Sequence, residues 1–600
     1  MDNNSGLFLI TTSNENTWEF DKPVIFLGEW CKLYSRKELW LSMNSITAEP
    51  YKPNYTEIDT ELEQVNKYTT ELLAELTQAL NLFHETNHSQ GYWNLLLGHW
   101  LYRYICVLYN RYYTMNQVFE RYDITSTVFL DLDDYKLIPQ DSYHFVKLAA
   151  NDEEWNHLLY VKIIDFCNFS NLELKNLKAK NKKHDDTFKI SFIQKLRRSL
   201  LDWVKIRLLP IFSRNSDAVI TQTYLPLNKE FHLNLLLKQF PQFWVSPKLI
   251  CQNPDSKLRK RFTLNFNQYR GFDKFIRKYI SEIIPVCYLE GYSSMVKQVN
   301  KLNWPNNPKF IFTSNRFDFD EIFKTWSANK ISQGCKYFVG QHGNNYGTLK
   351  GIQNTPEQVE VSKFLTWGWT NESNIYIPTF NFKLVGKKER KGIVGNGLLL
   401  IASPPPLPLR VIDESYDYIV KLNGQFQFVS TLRNDIINEV GIRLYPNKNI
   451  NYDEEKKWEK HFPKIKFDTS SRDIFKLTSK YKLVIHTYDS TGILETLALN
   501  IPTICFWNDA LDHLIPSARP YYKLLMDVGI LFNSPLEAAN TISANWDTLD
   551  KWWESKMVQD ARIYFCNHYS RIEKSPLKKL KKLLTKNLQE IESDSYNKLT

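Results

Sequence analysis

Short apolar runs alternate with helically spaced stretches through most of this chain. In its second half, apolar strands are predicted at residues 397–402, 441–445, 482–486 and 503–507, with helices at 415–422 and 492–499 between them. Strands apolar at successive positions are buried on both faces, and their alternation with helices requires parallel pairing. This half is therefore read as a doubly wound α/β domain. Asn500 stands where a left-handed residue would close a helix, with Pro502 just beyond. The first half carries predicted strands at 7–12, 23–27, 309–313 and 337–340, interrupted by a helical section over about 58–121. The stretch YWNLLLGHWLYRYICVLY, residues 92–109, contains His99 and Arg103 and is short for a bilayer span, so it is read as a buried core helix. Residues 175–183 are rich in lysine and asparagine and read as a solvated loop. A basic, glycine-containing linker over 387–395 gives domains at 1–390 and 391–550, followed by terminal helices over 551–600.

Composition narrows the class. The 600 residues exceed what one core organises, and 43% hydrophobic with 24% charged residues marks a globular chain. The net charge of +10 suits an anionic partner. The basic residues are dispersed and no nucleic-acid-binding motif is present, so nucleic acid is not the expected partner. The eight cysteines lack zinc-ligand spacing and form no disulfide framework, which fits a reduced, cytoplasmic protein. The opening MDNN lacks the basic start of a signal peptide. Walker A, GxGxxG and DxD motifs are all missing. No cofactor and no metal are expected, and charge stabilisation falls to helix termini and basic side chains.

Three segments carry candidate chemistry. KLVIHTYDSTGILETLALNIPTICFW, residues 482–507, delivers a polar turn from a buried strand straight into a helix. Loops at the carboxyl ends of parallel strands line ligand crevices, and a helix start favours phosphate. Thr487, Asp489, Ser490 and Thr491 are candidate donor-binding residues, with Glu495 one turn further in; helix capping is the plain alternative. VGQHGNNYG, residues 339–347, places His342 after a second strand among glycines that free the backbone for ligand approach. His342 is the candidate base or diphosphate ligand, with Gly340, Gln341 and Gly343 on the donor side. Glu29, after Gly28 in VIFLGEWCKLY, is the rival base; an ion pair with Lys32 or Arg36 is the alternative. Arg443, next to Pro446 at a strand end, is a further phosphate candidate.

The opening LFLITTSNENTWEFDKPVIFLGEWCKLYSRK, together with YWNLLLGHWLYRY, GQHGNNYG, FLTWGW and HTYDSTGILETLALNIPTICFW, resembles a family of transferases encoded in bacterial surface-polysaccharide clusters. Members are associated with O-antigen or capsule loci, some making nonulosonic acids. The His-Gly loop and the later strand–Ser/Thr–helix also resemble capsule Kdo transferases and teichoic-acid glycerophosphotransferases. That resemblance implies a GT-B fold: two Rossmann-like domains facing across a cleft, the first with helical insertions. It implies a metal-independent glycosyltransferase using a nucleotide-sugar donor, CMP-linked by preference, and a glycan or lipid-linked acceptor. It assigns catalysis to His342 and donor phosphate to Ser490 and Thr491, although Asp489-Ser490-Thr491 replaces the Ser-Ser pair of those families. A CDP-polyol phosphotransferase and a GT-B sugar-nucleotide epimerase remain open alternatives.

SPLKKLKKLLTKNLQEI, residues 575–591, aligns Leu577, Leu580, Leu584, Leu588 and Ile591 on one stripe, with lysines elsewhere. Such a helix can lie on an anionic membrane, making the protein peripheral at the inner face, or can pack on its own chain.

Overall fold

The structure, a computed structural model, describes residues 6–596 apart from 53, 171, 179–208, 353, 446–451, 469–473 and 510. Three parallel sheets organise it. The first contains β1 (Leu7–Ile10), β2 (Val24–Phe26), β3 (Ser45–Thr47), β4 (Ile124–Asp131) and β5 (Glu173–Lys178), in the order β3-β2-β1-β4-β5. The second contains β6 (Val219–Ile220), β7 (Phe310–Thr313), β8 (Lys336–Gly340), β9 (Lys363–Thr366) and β10 (Tyr376–Pro378), in the order β10-β9-β8-β7-β6. The third contains β11 (Leu398–Ile401), β12 (Val440–Arg443), β13 (Lys466–Phe467), β14 (Leu483–His486), β15 (Thr503–Phe506) and β16 (Leu531–Phe532), in the order β13-β12-β11-β14-β15-β16. The molecule is an α/β protein of Rossmann-like bodies.

The third sheet follows the apolar pattern closely. In β14, Leu483 and Ile485 enter one core cluster while Val484 enters the other, as the two-residue period of a strand covered on both faces requires. Its order is that of a doubly wound sheet, with the direction of winding reversing between β11 and β14.

The first half departs from a single sheet. The N-terminal strands pair with one another and with β4, and β7 and β8 belong to a separate sheet. Residues 173–178 are not loop: they pair with residues 126–131 of β4 as a polar edge strand, and residues 179–183 lie outside the described chain. Backbone pairing with a strong neighbour overrides the composition there.

Among the helices used below are α1 (Asp59–His84), α2 (Gln90–Arg121), α3 (Leu227–Leu236), α4 (Glu414–Thr431), α5 (Thr491–Ala498), α6 (Arg519–Asp527), α7 (Lys556–Tyr569) and α8 (Pro576–Tyr596). Helix α2 contains the stretch at 92–109 and is buried along most of its length. Its polar residues reach outward: Arg103 grips Asp318, and Asn110 Nδ2 donates to the Val411 carbonyl at 2.9 Å. No helix among the described residues is long and apolar enough to cross a membrane.

After α7 the chain returns to the second sheet. The Arg571 amide donates to the Trp367 carbonyl, and the Asn381 amide to the Arg571 carbonyl, both at 2.8 Å. Helix α8 then lies against α3, with Leu577, Leu580 and Leu584 buried. This part of the apolar stripe is spent inside the protein rather than on a membrane; the side chains of Leu588 and Ile591 lie outside those described.

The end of α5 explains Asn500. Its φ is 55°, and the Asn500 and Ile501 amides close the helix onto the Leu497 and Thr496 carbonyls at 3.0 and 2.9 Å. Its side chain also accepts from Trp553 Nε1 at 3.0 Å and from Gln559 Nε2 at 3.1 Å. Asn500→Ala is expected to destabilise by about 2–4 kcal/mol, losing those bonds and forcing a Cβ without compensation into the left-handed region. Asn500→Gly loses the bonds but not the backbone freedom, so its melting temperature should lie between those of wild type and the alanine variant; equal melting of the two variants would contradict this account.

Candidate functional site

The turn between β14 and α5 is built around a neutral histidine. His486 is fully buried, and burial pushes its pKa down to about 3. Its ring nitrogens lie 3.2 Å from Ser490 Oγ and 3.2 Å from Thr496 Oγ1, clamping both ends of the turn. Thr487 Oγ1 donates to the Ile401 carbonyl at 3.0 Å, across the β11–β14 switch point. The hydroxyls of Thr487 and Ser490 are therefore engaged internally. Ser490 is the N-cap residue of α5 but gives no side-chain cap bond. Among the described residues, no acceptor takes the amides of Thr491 and Gly492.

The loop after β8 docks on this turn. The Asn344 amide donates to Thr491 Oγ1 at 3.2 Å, and Asn344 Nδ2 donates to Asp489 Oδ1 at 2.5 Å. A Cβ on Gly343 would stand 3.3 Å from Thr491 Oγ1, so the approach leaves little room for a side chain. Gln341 braces the loop from below: its Nε2 donates to the Gly343 carbonyl at 2.8 Å, while its Oε1 accepts from the Trp367 amide at 2.9 Å and Trp369 Nε1 at 2.8 Å. Gly340 is packed so tightly that a Cβ would meet Ser314 Oγ and the Phe382 ring at 2.4 Å.

Asp489 is shared. Besides Asn344, it accepts from the Tyr522 hydroxyl of α6 at 3.1 Å and lies 3.3 Å from His513 Nε2. His513 Nδ1 lies 2.8 Å from Asp509. Burial opposes charge on His513, but the bonds to Asp489 and Asp509 outweigh it and raise its pKa to about 9. The imidazolium is thus the stable form at neutral pH.

A cavity of about 840 Å³ opens beside this group, at the carboxyl ends of β11, β12, β14 and β15. Ser403, Pro404, Tyr445, Tyr488, Asp489, Trp507 and His513 line it from the third sheet's loops, and Asn345 from the His-Gly loop. Arg410 and Lys421 add positive charge, partly answered by Glu414 at 3.6 Å and Asp417 at 2.5 Å. The Arg410 guanidinium also donates to the Tyr55 hydroxyl at 2.5 Å.

His342 stands on the side of the loop facing the second sheet. Its ring centroid lies 5.7 Å from that of Tyr224, and its Nδ1 lies 3.3 Å from the Tyr346 hydroxyl. That hydroxyl donates to Glu357 at 2.7 Å, and the other Glu357 oxygen lies 3.2 Å from His99 Nε2 of α2. Burial pushes the His342 pKa down, while the carboxylates of Glu357 and Asp318 oppose that shift. A buried chain of polar groups thus links α2 to the candidate base.

The remaining candidates are dispersed. Glu495 is buried and ion-paired with Lys383 of the second sheet's body. Arg443 ends β12, opposite Ile401, while Tyr445 two residues on reaches the cavity; Pro446 lies outside the described residues. Glu29 makes the Lys32 ion pair at 2.9 Å, and its charge is felt by Asp413 and Lys457 at the seam between the first and third sheets. His513, Arg410, Lys421 and Trp507 were not singled out in the sequence. A signal was available for His513 and Trp507, which follow β15 as Thr487 follows β14. Among the described residues no cluster of His, Cys, Asp and Glu is arranged to hold a metal ion.

The raised pKa of His513 predicts a pH dependence. Its contribution to stability is fully present below the unfolded histidine pKa, near 6.5, and is lost as pH rises through about 9. Denaturant titrations should show the stability advantage of wild type over His513→Gln shrinking by on the order of 2–3 kcal/mol across that window. A pH-independent difference would remove the ion-pair assignment.

Residues 7–584 match the LIC12162 family transferase. Among solved structures, the chain is similar to MurG of Acinetobacter baumannii at 9% identity, covering 62% of this chain and 99% of that one, with a TM-score of 0.31. It is similar to the Staphylococcus aureus MnaA–UDP structure at 12% identity, covering 60% and 100%, with a TM-score of 0.33. A putative UDP-N-acetylglucosamine 2-epimerase from Listeria monocytogenes gives 12% identity, 58% and 94% coverage and a TM-score of 0.34. No curated protein matches the sequence.

Proposed function

The chain belongs to the LIC12162 family of transferases, and from that premise we propose that it is a GT-B glycosyltransferase of bacterial surface-polysaccharide assembly. In this reading it works at the cytoplasmic face, residues 391–550 hold a nucleotide-sugar donor, and the sugar passes to a glycan or lipid-linked acceptor. The observation that carries the reading is the cavity of about 840 Å³ at the β11–β14 switch point, bordered by a loop from the facing sheet. Doubly wound sheets bind nucleotides at this position.

The chemistry follows from the groups around it. Tyr488 and Tyr445, with Trp507 buried at 4% exposure, supply aromatic lining suited to a nucleobase. The His513 cation and Arg410 line the cavity, and with the start of α5, two residues beyond Asp489 of the same lining, suit the phosphate that leaves with negative charge. His342 accepts the acceptor hydroxyl's proton. Tyr346, whose own proton goes to Glu357, presents a lone pair to Nδ1 and so favours a ring proton there. A CMP-activated nonulosonic acid is the preferred donor, on the family resemblance.

Thermal shift with CMP-, CDP-, UDP- and GDP-linked donors tests this directly: stabilisation by one nucleotide class is expected, and none by any of them would end the reading. His513→Gln and Arg410→Gln should each weaken donor binding roughly 10–100-fold, the worth of a charge-assisted hydrogen bond. Unchanged affinity in both would place the donor elsewhere.

His342→Ala should cost on the order of 10²–10⁴ in kcat. Glu29→Gln should leave kcat within a few-fold, because its carboxylate is held by Lys32. The reverse pattern in steady-state kinetics would exchange the two assignments.

A further inference from the structure

The second sheet's body carries an apolar outer surface that the site does not use. Among the described residues, ten large apolar side chains are at least half exposed, and six of them lie within residues 211–250: Ile211, Phe212, Leu227, Leu235, Phe240 and Ile250. Their crowding sets them apart from the singly exposed hydrophobics normal on any surface.

Helix α3 explains part of this. Glu230, Leu233 and Asn234 face inward and are buried. Leu227, Phe231 and Leu235 stand four residues apart and form a second stripe, with Leu227 and Leu235 exposed by 56% and 60%. A soluble surface helix needs only one apolar stripe. Phe231 of α3 meets Phe243 at 5.3 Å between ring centroids, and Phe212 meets Phe240 at 5.6 Å within the same segment. Gln239 fixes its position, bonding both the amide and the carbonyl of Ala218 before β6.

Positive charge adjoins it. Arg214 and Lys238 are exposed within the same segment, and α8 lies against α3 with Lys578 and Lys582 exposed. Lys579 is ion-paired with Glu573 and contributes less. The chain leads from the candidate base to this surface. Helix α3 begins three residues after Tyr224, whose ring lies beside His342, and Leu227 and Phe243 line a cavity of about 410 Å³ that reaches Arg316.

We propose that the exposed face built by Phe212, Leu227, Leu235 and Phe240, flanked by the lysines of α8, docks on an anionic lipid bilayer and presents a lipid-linked acceptor to His342. Apolar side chains entering the headgroup boundary beside basic side chains are the recognised chemistry of such a surface. An acidic protein partner would use the cations but would leave the outward apolar stripe unexplained. The proposal rests on the reading of a lipid-linked acceptor given above.

The test is sedimentation of the full chain with vesicles of equal parts phosphatidylcholine and phosphatidylglycerol, against pure phosphatidylcholine, at low and high salt. Binding to the mixed vesicles, weakened by salt, is expected. Phe212→Glu with Leu235→Glu should abolish it, and Lys578→Gln with Lys582→Gln should weaken it roughly 10-fold. All four positions are exposed or peripheral, so melting temperature and donor-induced thermal shift should match wild type. That second measurement separates failure here from failure of the transferase reading. The proposal is overturned if wild type ignores the mixed vesicles or if the double glutamate variant still binds them. It is equally overturned if wild type is a dimer that this variant converts to monomer, which would assign the face to a second copy.

Discussion

Asp489 receives the Asn344 amide group, the Tyr522 hydroxyl and the His513 ring within one buried pocket of the third sheet. A partly buried carboxylate is favoured when its lone pairs are satisfied by donors such as these. The consequence is geometric. The His-Gly loop from the second sheet has one favourable position against the β14–α5 turn, and that position lets Asn345 border the switch-point cavity. The same carboxylate, with Asp509, keeps His513 charged at the wall of that cavity. Joining of the two bodies and electrostatic preparation of the cavity are therefore one interaction.

The other side of the loop depends on α2. This helix belongs by sequence to the long insertion between β3 and β4, yet His99 and Arg103 reach Glu357 and Asp318 beside His342. Glu357 connects through Tyr346 to the ring itself. Burial alone would lower the basicity of His342, and these carboxylates restrain that fall. The helical insertion thus reaches the candidate site through His99 and Arg103.

The third sheet shows why hydroxyl-rich turns are ambiguous. Thr487 and Ser490 are candidate ligand contacts by sequence, and in the structure their hydroxyls bond within the fold, to the Ile401 carbonyl and the neutral His486. That arrangement leaves the first amides of α5 without a protein acceptor among the described residues. From this turn, Tyr488 and Asp489 are the residues that line the cavity.

The sequence by itself determined four of the third sheet's strands, β11, β12, β14 and β15, and its doubly wound class, because apolar runs broken by helical periods admit little besides a parallel sheet covered on both faces. It also located the two segments that meet, GQHGNNYG and HTYDSTG, since polar residues directly after a buried strand have one place to go. Even the left-handed Asn500 was legible, from the proline beyond it. Tertiary structure alone decided the rest. Splitting of the first half into two sheets depends on which strand edges pair, and β5 is polar enough that only its neighbour β4 makes it a strand. The charge on His513 depends on two aspartates at positions 489 and 509 converging on one ring. Glu29 and His342 both follow strands, yet they stand at different seams because their strands belong to different sheets. Local pattern specifies elements; the partners each side chain meets come from contacts distant in sequence, and those contacts set pKa, accessibility and role.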